Sequence, residues 1–391
     1  MRLFWLALAL LLALPFPAAA LAPEVSLASD TEARWVRFEL TPGNQIRFDM
    51  TINGRDASAV LDTGVSYTVV SSAFAREAGL KAATASSASA IGGQVAVGWA
   101  TARTLSLGGL TRRNGRIAVA DLKAIATGSA RPVDVLVGAD VLQCCALDID
   151  YDAKRFRLLK TGRMPFRGTS VPLWLSPSAG IYLGEATLGT RRLRPLIVDT
   201  GDGSALTVSR DGWAASGVRS ATITSALAFG LGGAIETDLT IVPQLKVGTL
   251  TARNVEVRIE PAAGFSQQTA TAGRIGSAFL QRYRALLDPR AGRMILAPGT
   301  TVDKPPVRST SGLLIGIERT ALRVLHVMRA SPAAAAGWRV DDRICQIDGH
   351  AITSDYAKSP IATWTADAPG RVVRIGMCDG SQRTLTLRAF Y

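Results

Sequence analysis

Two aspartates in this chain each open the triplet Asp-Thr-Gly, at Asp62-Thr63-Gly64 and Asp199-Thr200-Gly201. Each triplet follows a short apolar run, Ala59-Val60-Leu61 in one case and Leu196-Ile197-Val198 in the other. Two carboxylates brought within about 3 Å cannot both ionise, so they share one proton and divide into an acid and a base that can activate a water molecule between them. Glycine two positions on leaves room for close backbone approach and tolerates a tight turn. One such triplet would be weak evidence, whereas two in the same setting point to a carboxylate pair.

The setting is repeated as well as the triplet. After the first motif come Ile91-Gly92-Gly93, Leu107-Gly108-Gly109-Leu110, Asn114, Val137-Gly138 with Val141-Leu142, Asp150 and Arg155-Phe156-Arg157-Leu158. After the second come Leu231-Gly232-Gly233, Val247-Gly248-Thr249-Leu250, Asn254, Ile275-Gly276 with Phe279-Leu280, Asp288 and Arg293-Met294-Ile295-Leu296. Matching landmarks at matching spacings imply one fold used twice, and paired units can bring both aspartates to one axis. The elements that must position them read as β. Gln45 to Ile52, Arg116 to Ala120, Leu239 to Ile241 and Val255 to Ile259 are short apolar or β-branched runs between Gly, Asn and Pro punctuation. The two helical stretches expected are brief, Ser71 to Ala78 and Ala278 to Tyr283.

On these residues the chain resembles the pepsin and retropepsin families of aspartic proteases from about residue 32 to 300. The shared pattern is apolar-apolar-Asp-Thr-Gly, a glycine-rich flap, and a later apolar-apolar-Gly, here Val137-Gly138 and Ile275-Gly276. The resemblance implies a mostly β, two-lobed retropepsin-like acid protease fold with lobes at 32–160 and 168–300. Short lobes that each carry a flap are closer to a fused retropepsin dimer than to pepsin. It further implies that Asp62 and Asp199 are catalytic, and that Thr63, Gly64, Thr200 and Gly201 support them, the threonines by hydrogen bonds between the lobes. Gly92, Gly93, Gly232 and Gly233 would be the flap glycines. Such a cleft takes a protein or peptide substrate in extended form, held by backbone hydrogen bonds. The first motif continues Val65-Ser66, as in the families, but the second continues Asp202-Gly203-Ser204. A third carboxylate there is expected either to raise the pair's proton affinity or to favour a basic substrate side chain.

Other hydrolytic chemistries lack their residues. The two histidines, His326 and His350, lie beyond the repeated region, so neither Ser-His-Asp nor Cys-His catalysis can be assembled from the repeats. No His or Cys cluster has zinc spacing, and neither a metal nor any other cofactor is expected. Each histidine reads as structural, His326 on a strand and His350 at an exposed turn.

After Lys304-Pro305-Pro306 the chain changes character and resembles a bacterial-type PDZ domain, placed at 307–391. The match runs through Gly312-Leu313-Leu314-Ile315-Gly316-Ile317, Val324-Leu325-His326-Val327, Ser331-Pro332-Ala333-Ala334, Asp341-Asp342-Arg343-Ile344 and Ile347-Asp348-Gly349. The resemblance implies a peptide-binding groove at Leu314, Ile315, Gly316 and Ile317, for a partner with a free C-terminus or an extended segment.

At the other end, Met1-Arg2, an apolar stretch from Leu3 to Leu14, Pro15 and the small residues up to Ala22 have the layout of a secretory signal over 1–22. Cleavage after Ala20 is favoured over Ala22, since Pro23 would follow the later cut. The chain is therefore expected to be exported, to the periplasm or beyond the cell, with no stable membrane span once the leader is removed. Its 391 residues allow two to three further domains. The net charge of +13 comes mostly from dispersed arginines with no basic block, which argues against a nucleic-acid partner. An exported chain lets its four cysteines pair. Cys345 and Cys378 could bridge, while the adjacent Cys144 and Cys145 suit a buried thiol or a vicinal bond. The reading is an exported aspartic endopeptidase whose PDZ domain recruits substrate or regulates access. The competing readings are a non-catalytic PDZ scaffold on silent protease lobes, and a dimer that uses only one motif per chain.

Overall fold

The computed structural model describes residues 24–122, 132–219 and 222–391. The expected leader over 1–22 lies outside the described residues.

Alternation of buried and exposed positions sets the first strands. Ile46, Phe48, Met50 and Ile52 turn into the core from strand Ile46–Ile52, which folds back onto Arg55–Leu61. Asn53 and Gly54 form the two-residue loop with φ of 52° and 78°, the left-handed pair that matches strand twist in a tight hairpin. From there the sheet passes through Val135–Val137, Val69–Ser71, Leu110–Ala120, Gly93–Leu107 and Ala83–Ala90. A second sheet repeats this path strand for strand, through Tyr182–Leu188, Arg191–Asp199, Gly273–Gly276, Leu206–Val208, Leu250–Ile259, Gly233–Val247 and Thr224–Gly230. The parallel pairs recur in the same places. Val135–Val137 runs beside Arg55–Leu61 as Gly273–Gly276 runs beside Arg191–Asp199. Val69–Ser71 likewise runs beside Leu110–Ala120 as Leu206–Val208 runs beside Leu250–Ile259. The repeated asparagines have a backbone reason, since Asn114 and Asn254 both hold left-handed φ, at 52° and 49°.

A six-stranded sheet joins the halves. Its central pair is Ala146–Asp150 from the first half against Tyr283–Asp288 from the second, with Leu147 opposite Leu287 and Ile149 opposite Ala285. Asp148 is fully buried there and accepts from Arg157 of its own half and Arg284 of the other, each at 2.9 Å. One apolar core runs through both halves.

Three of the strands expected from sequence are segments of longer ones, Val255 to Ile259 falling inside Leu250–Ile259. Leu239 to Ile241 lies inside the 15-residue strand Gly233–Val247, and Arg116 to Ala120 inside Leu110–Ala120. The first expected helix is found as Ser72–Glu77, capped by the Ser71 hydroxyl, which accepts from Phe74 N–H. The second stops at Leu280, because Tyr283 already opens the strand that joins the halves. Residues 24–27 form an edge strand against Leu110–Ala120.

Residues beyond the second half fold around a core of their own that includes Leu313, Val324, Trp338, Ile344 and Trp364. Their sheet runs Leu313–Ile317, Leu322–Val327, Arg343–Ile347, Val372–Met377, Gln382–Thr386. A disulfide joins Cys345 to Cys378, and Cys144 is bonded to Cys145. This unit leans on the second half. His326 Nε2 and Ser225 Oγ are 2.8 Å apart, and the Thr224 hydroxyl donates to Arg329 O at 2.7 Å. Arg329 also pairs with Asp238. His326 is therefore a buried strand residue at a packing surface, and burial lowers its proton affinity. No helix among the described residues is long and apolar enough to cross a membrane.

Candidate active site

Asp62 follows strand Arg55–Leu61 and Asp199 ends strand Arg191–Asp199, so the two triplets are turns at the ends of equivalent strands. Each turn is braced from behind by its parallel neighbour. In the first half Asp62 N–H donates to Val137 O at 3.0 Å. Gly138 and Gly276 lie so close under the turns that a side-chain carbon would collide with backbone of Tyr67 and Thr68, or of Asp202 and Ser204. That is the physical reason for the apolar-apolar-Gly signature.

The two turns interlock through their threonines. Thr63 Oγ1 donates to Val198 O at 2.6 Å and Thr200 Oγ1 donates to Leu61 O at 2.8 Å. Each hydroxyl also accepts the other threonine's backbone N–H, both at 3.1 Å. Both residues are fully buried, so these four bonds fix one turn against the other with no water to replace them. Removing one hydroxyl orphans a buried N–H and a buried carbonyl. Thr200→Val is accordingly expected to lower stability by about 1–3 kcal/mol, measured by denaturant unfolding, and Thr63→Val by a similar amount because the arrangement is reciprocal.

The interlock sets each aspartate over the opposite glycine. A Cβ on Gly64 would overlap the Asp199 carboxyl, and one on Gly201 would overlap that of Asp62. The carboxyls are within hydrogen-bonding reach of each other. Gly64 N–H donates to Asp62 Oδ1 at 3.0 Å, and Gly201 and Asp202 N–H donate to Asp199 Oδ1 at 2.9 and 3.0 Å. Asp199 is only 7% exposed. Burial, then the charges of Asp62 and Asp202, push its proton affinity well above the usual carboxylate range. Burial also pushes Asp62 up, to about 6, against the hydrogen bonds it receives. Two adjacent carboxyls with raised proton affinities form a site that holds a proton near neutral pH and can pass it on.

The four glycines at 92, 93, 232 and 233 form the tips of two hairpins, Ala83–Ala90 with Gly93–Leu107 and Thr224–Gly230 with Gly233–Val247. The tips meet. Gly232 N–H donates to Ile91 O at 2.9 Å, and a side chain on Gly92 would strike the backbone of Gly233. Leu231 reaches across to pack on a first-half cluster that includes Val60, Val69 and Leu136, alongside Val65. The second hairpin tip thus rests beside the loop that follows Asp62.

Of the two expectations for Asp202, the charge does help to raise the proton affinity of both aspartates. Asp202 does not offer a charge to a substrate, because Arg274 Nε binds its Oδ2 at 2.9 Å and Ser204 N–H donates to its Oδ1 at 2.9 Å. Burial acts against its charge, but Arg274 and these hydrogen bonds outweigh it and keep Asp202 below the usual carboxylate range. Arg274 in turn binds Glu260 at 2.7 Å. Neither Arg274 nor Glu260 stands out in the sequence alone. Their signal was a mismatch between the repeats, since the residue before Val137-Gly138 is Leu136 and the residue before Ile275-Gly276 is Arg274.

Leu314, Ile315, Gly316 and Ile317 lie on Leu313–Ile317, an edge strand that pairs only with Leu322–Val327. No other strand among the described residues pairs with it, and Ile317 is 53% exposed. These four residues are far along the chain from the carboxyl pair, on a strand whose Leu313 and Ile315 pack in a separate core. No cluster of His, Cys, Asp and Glu able to hold a metal occurs among the described residues.

Comparison with known proteins agrees with the first half of this geometry. The family model described as aspartyl protease matches residues 48–141, a stretch that holds the first Asp-Thr-Gly, the first hairpin and Gly138. That stretch is aspartyl protease-like. No curated protein matches the chain.

Proposed function

We propose that the chain is an exported aspartic endopeptidase that hydrolyses peptide bonds of extended protein substrates with water activated between Asp62 and Asp199. The observation that carries this reading is the interlock of the two Asp-Thr-Gly turns, which sets each carboxyl against the other triplet's glycine. On this reading 32–160 and 168–300 are the lobes of a retropepsin-like acid protease. The two hairpins are flaps that part to admit substrate and close to shed water.

The chemistry follows from the shared proton. The ionised carboxylate takes a proton from water as the water oxygen bonds to the scissile carbonyl carbon. The protonated carboxyl gives its proton to the carbonyl oxygen, leaving a neutral gem-diol. Collapse then breaks the C–N bond, one diol proton returns to a carboxylate, and the leaving nitrogen is protonated. No covalent intermediate forms. The reading also takes 307–391 as a PDZ domain. Support comes from the exposed edge strand Leu313–Ile317, where a partner chain can add by backbone pairing and bring substrate to the cleft or govern access to it.

Incubating a denatured protein mixture with the mature chain from about pH 3 to 7, where a proton-sharing carboxyl pair titrates, tests the proposal. Mass spectrometry should show new internal cuts that disappear in Asp62→Asn and Asp199→Asn. Folded protein that makes no cut at any pH would remove the enzymatic reading and favour a binding scaffold.

A further inference from the structure

The two halves repeat each other closely around the carboxyl pair except in one respect. In the first half, the position three residues past the aspartate is Val65, and the position paired with the residue two before it is Leu136, opposite Val60. Both belong to an apolar cluster. In the second half the same positions are Asp202 and Arg274, the latter opposite Ile197. Glu260 is placed as Asp121 is in the first half, each one residue past the strand that runs parallel to Val69–Ser71 or to Leu206–Val208. Asp121 is exposed, whereas Glu260 is fully buried.

These three residues make a closed ion triad. Arg274, 2% exposed, binds Asp202 through Nε at 2.9 Å and Glu260 through Nη1 at 2.7 Å. Ser266 N–H donates to the other Glu260 oxygen at 2.8 Å, and the Phe265 ring centre lies 5.4 Å from the guanidinium carbon. The triad carries two negative charges and one positive, so it leaves one net negative charge buried on the Asp199 side, and Asp202 also raises Asp62 but as the smallest of the influences on it. It is also tied to that aspartate mechanically, since Asp202 gives its backbone N–H to Asp199 Oδ1 and its side chain to Arg274. Replacing a packed apolar cluster with buried ions seldom stabilises a fold, so the triad's use must be sought in its charge.

Resting on the protease reading of the pair, we infer that the Asp202–Arg274–Glu260 triad is a positioning device that makes the two aspartates unequal, holding the shared proton on Asp199 and leaving Asp62 as the base. The charged groups around Asp199 are Asp62 across the interface, Asp202 on its own turn, and Arg274 from the parallel strand. The two negative neighbours favour its protonated form and Arg274 opposes them. Glu260 occupies Arg274 from the far side. Asp62 has no counterpart triad, because Val65 and Leu136 carry no charge. The direction agrees, with the proton affinity of Asp199 raised and the charge of Asp202 among the causes.

Carboxyl carbon NMR of chain labelled with ¹³C at aspartate tests this without any substrate, the two resonances being assigned from their loss in Asp62→Asn and Asp199→Asn. In the parent chain, Asp62 should titrate first while Asp199 keeps the protonated shift through neutral pH. Asp202→Asn keeps the size of the side chain and removes one negative charge, and it should lower the Asp199 step by on the order of one pH unit. A triple variant, Asp202→Val with Arg274→Leu and Glu260→Gln, copies the neutral character of the first half and should bring the two steps toward each other, and it decides the matter if the single variant does not fold. Asp62 retaining the proton in the parent chain, or an Asp199 step unmoved in the folded variants, would overturn the inference. Absence of peptide cleavage would instead count against the protease reading and leave these titrations unaffected.

Discussion

The Asp199→Asn variant is expected to lose hydrolysis by a factor on the order of 10²–10⁴ and, at neutral pH, to melt at a higher temperature than the parent chain. The second half of that result separates a functional carboxyl pair from a structural one. Both carboxyls have proton affinities raised above the unfolded value of 3.8, Asp62 to about 6, with burial the leading cause in each case. A carboxyl raised on folding contributes stability below its unfolded pKa, and that contribution is lost as pH rises through the folded value. For Asp62 the window runs from about pH 4 to about pH 6, and Asp199 moves in the same direction. At pH 7 the folded parent chain must therefore hold on Asp199 a proton that the unfolded chain releases, a cost that asparagine lacks. Thermal melts at pH 4 and pH 7 supply the check, read as variant minus parent so that other titrating groups cancel. The difference should be small at pH 4 and positive at pH 7. A variant equally destabilised at both would mean that the carboxylate is held by favourable bonds and that no proton is shared.

Arg274→Leu carries the largest expected loss of stability. The parent guanidinium is nearly inaccessible, and although burial acts against its charge, Asp202, Glu260 and Asp199 together outweigh that and hold it protonated. Leucine in its place would strand Asp202 and Glu260 as buried carboxylates without a partner. Breaking a buried pair in this way costs about 3–5 kcal/mol, a large part of the total for an ordinary domain. The triple variant that also neutralises Asp202 and Glu260 should recover most of it, because an apolar cluster already fills the same place in the first half. Denaturant unfolding of the single and triple variants measures both numbers. An Arg274→Leu chain as stable as the parent would show that water or a shifted proton satisfies the two acids, and that the triad is not the closed unit described above.

Much of the active-site framework was legible in sequence because it is written in backbone requirements. The triplets, the hairpin-tip glycines Gly92 and Gly232 and the glycines at 138 and 276 each mark a place where a side chain would collide with a neighbouring segment. Gly93 and Gly233 hold positive φ instead, and such requirements leave few alternatives. The repeat of the two halves was visible for the same reason, with Asn114 and Asn254 preserving a left-handed backbone that few other residues accept. What sequence hid were partnerships between distant charges. Asp202 and Arg274 lie far apart along the chain, and an isolated Asp after Asp-Thr-Gly reads as a free charge until its partner is seen. The full length of strand Gly233–Val247 was hidden as well, since Pro243 and the polar residues on its exposed face break the apolar alternation while its register with Leu250–Ile259 continues past them. The grip of His326 and Arg329 on the base of the second hairpin left no pattern at all, because it depends on two separately folded cores meeting.

The central claim is that Asp62 and Asp199 of one chain form one active centre, and mixing inactive variants tests it most directly. Asp62→Asn and Asp199→Asn proteins would be combined in equal amounts and unfolded and refolded together. Cleavage of a denatured protein substrate would then be compared with that of each variant alone and of an equal amount of parent chain. The account predicts that the mixture stays as inactive as its components while the parent cuts, since neither chain holds a complete pair. Recovery of about a quarter or more of the parent's activity would contradict it, and would place the working pair between two chains.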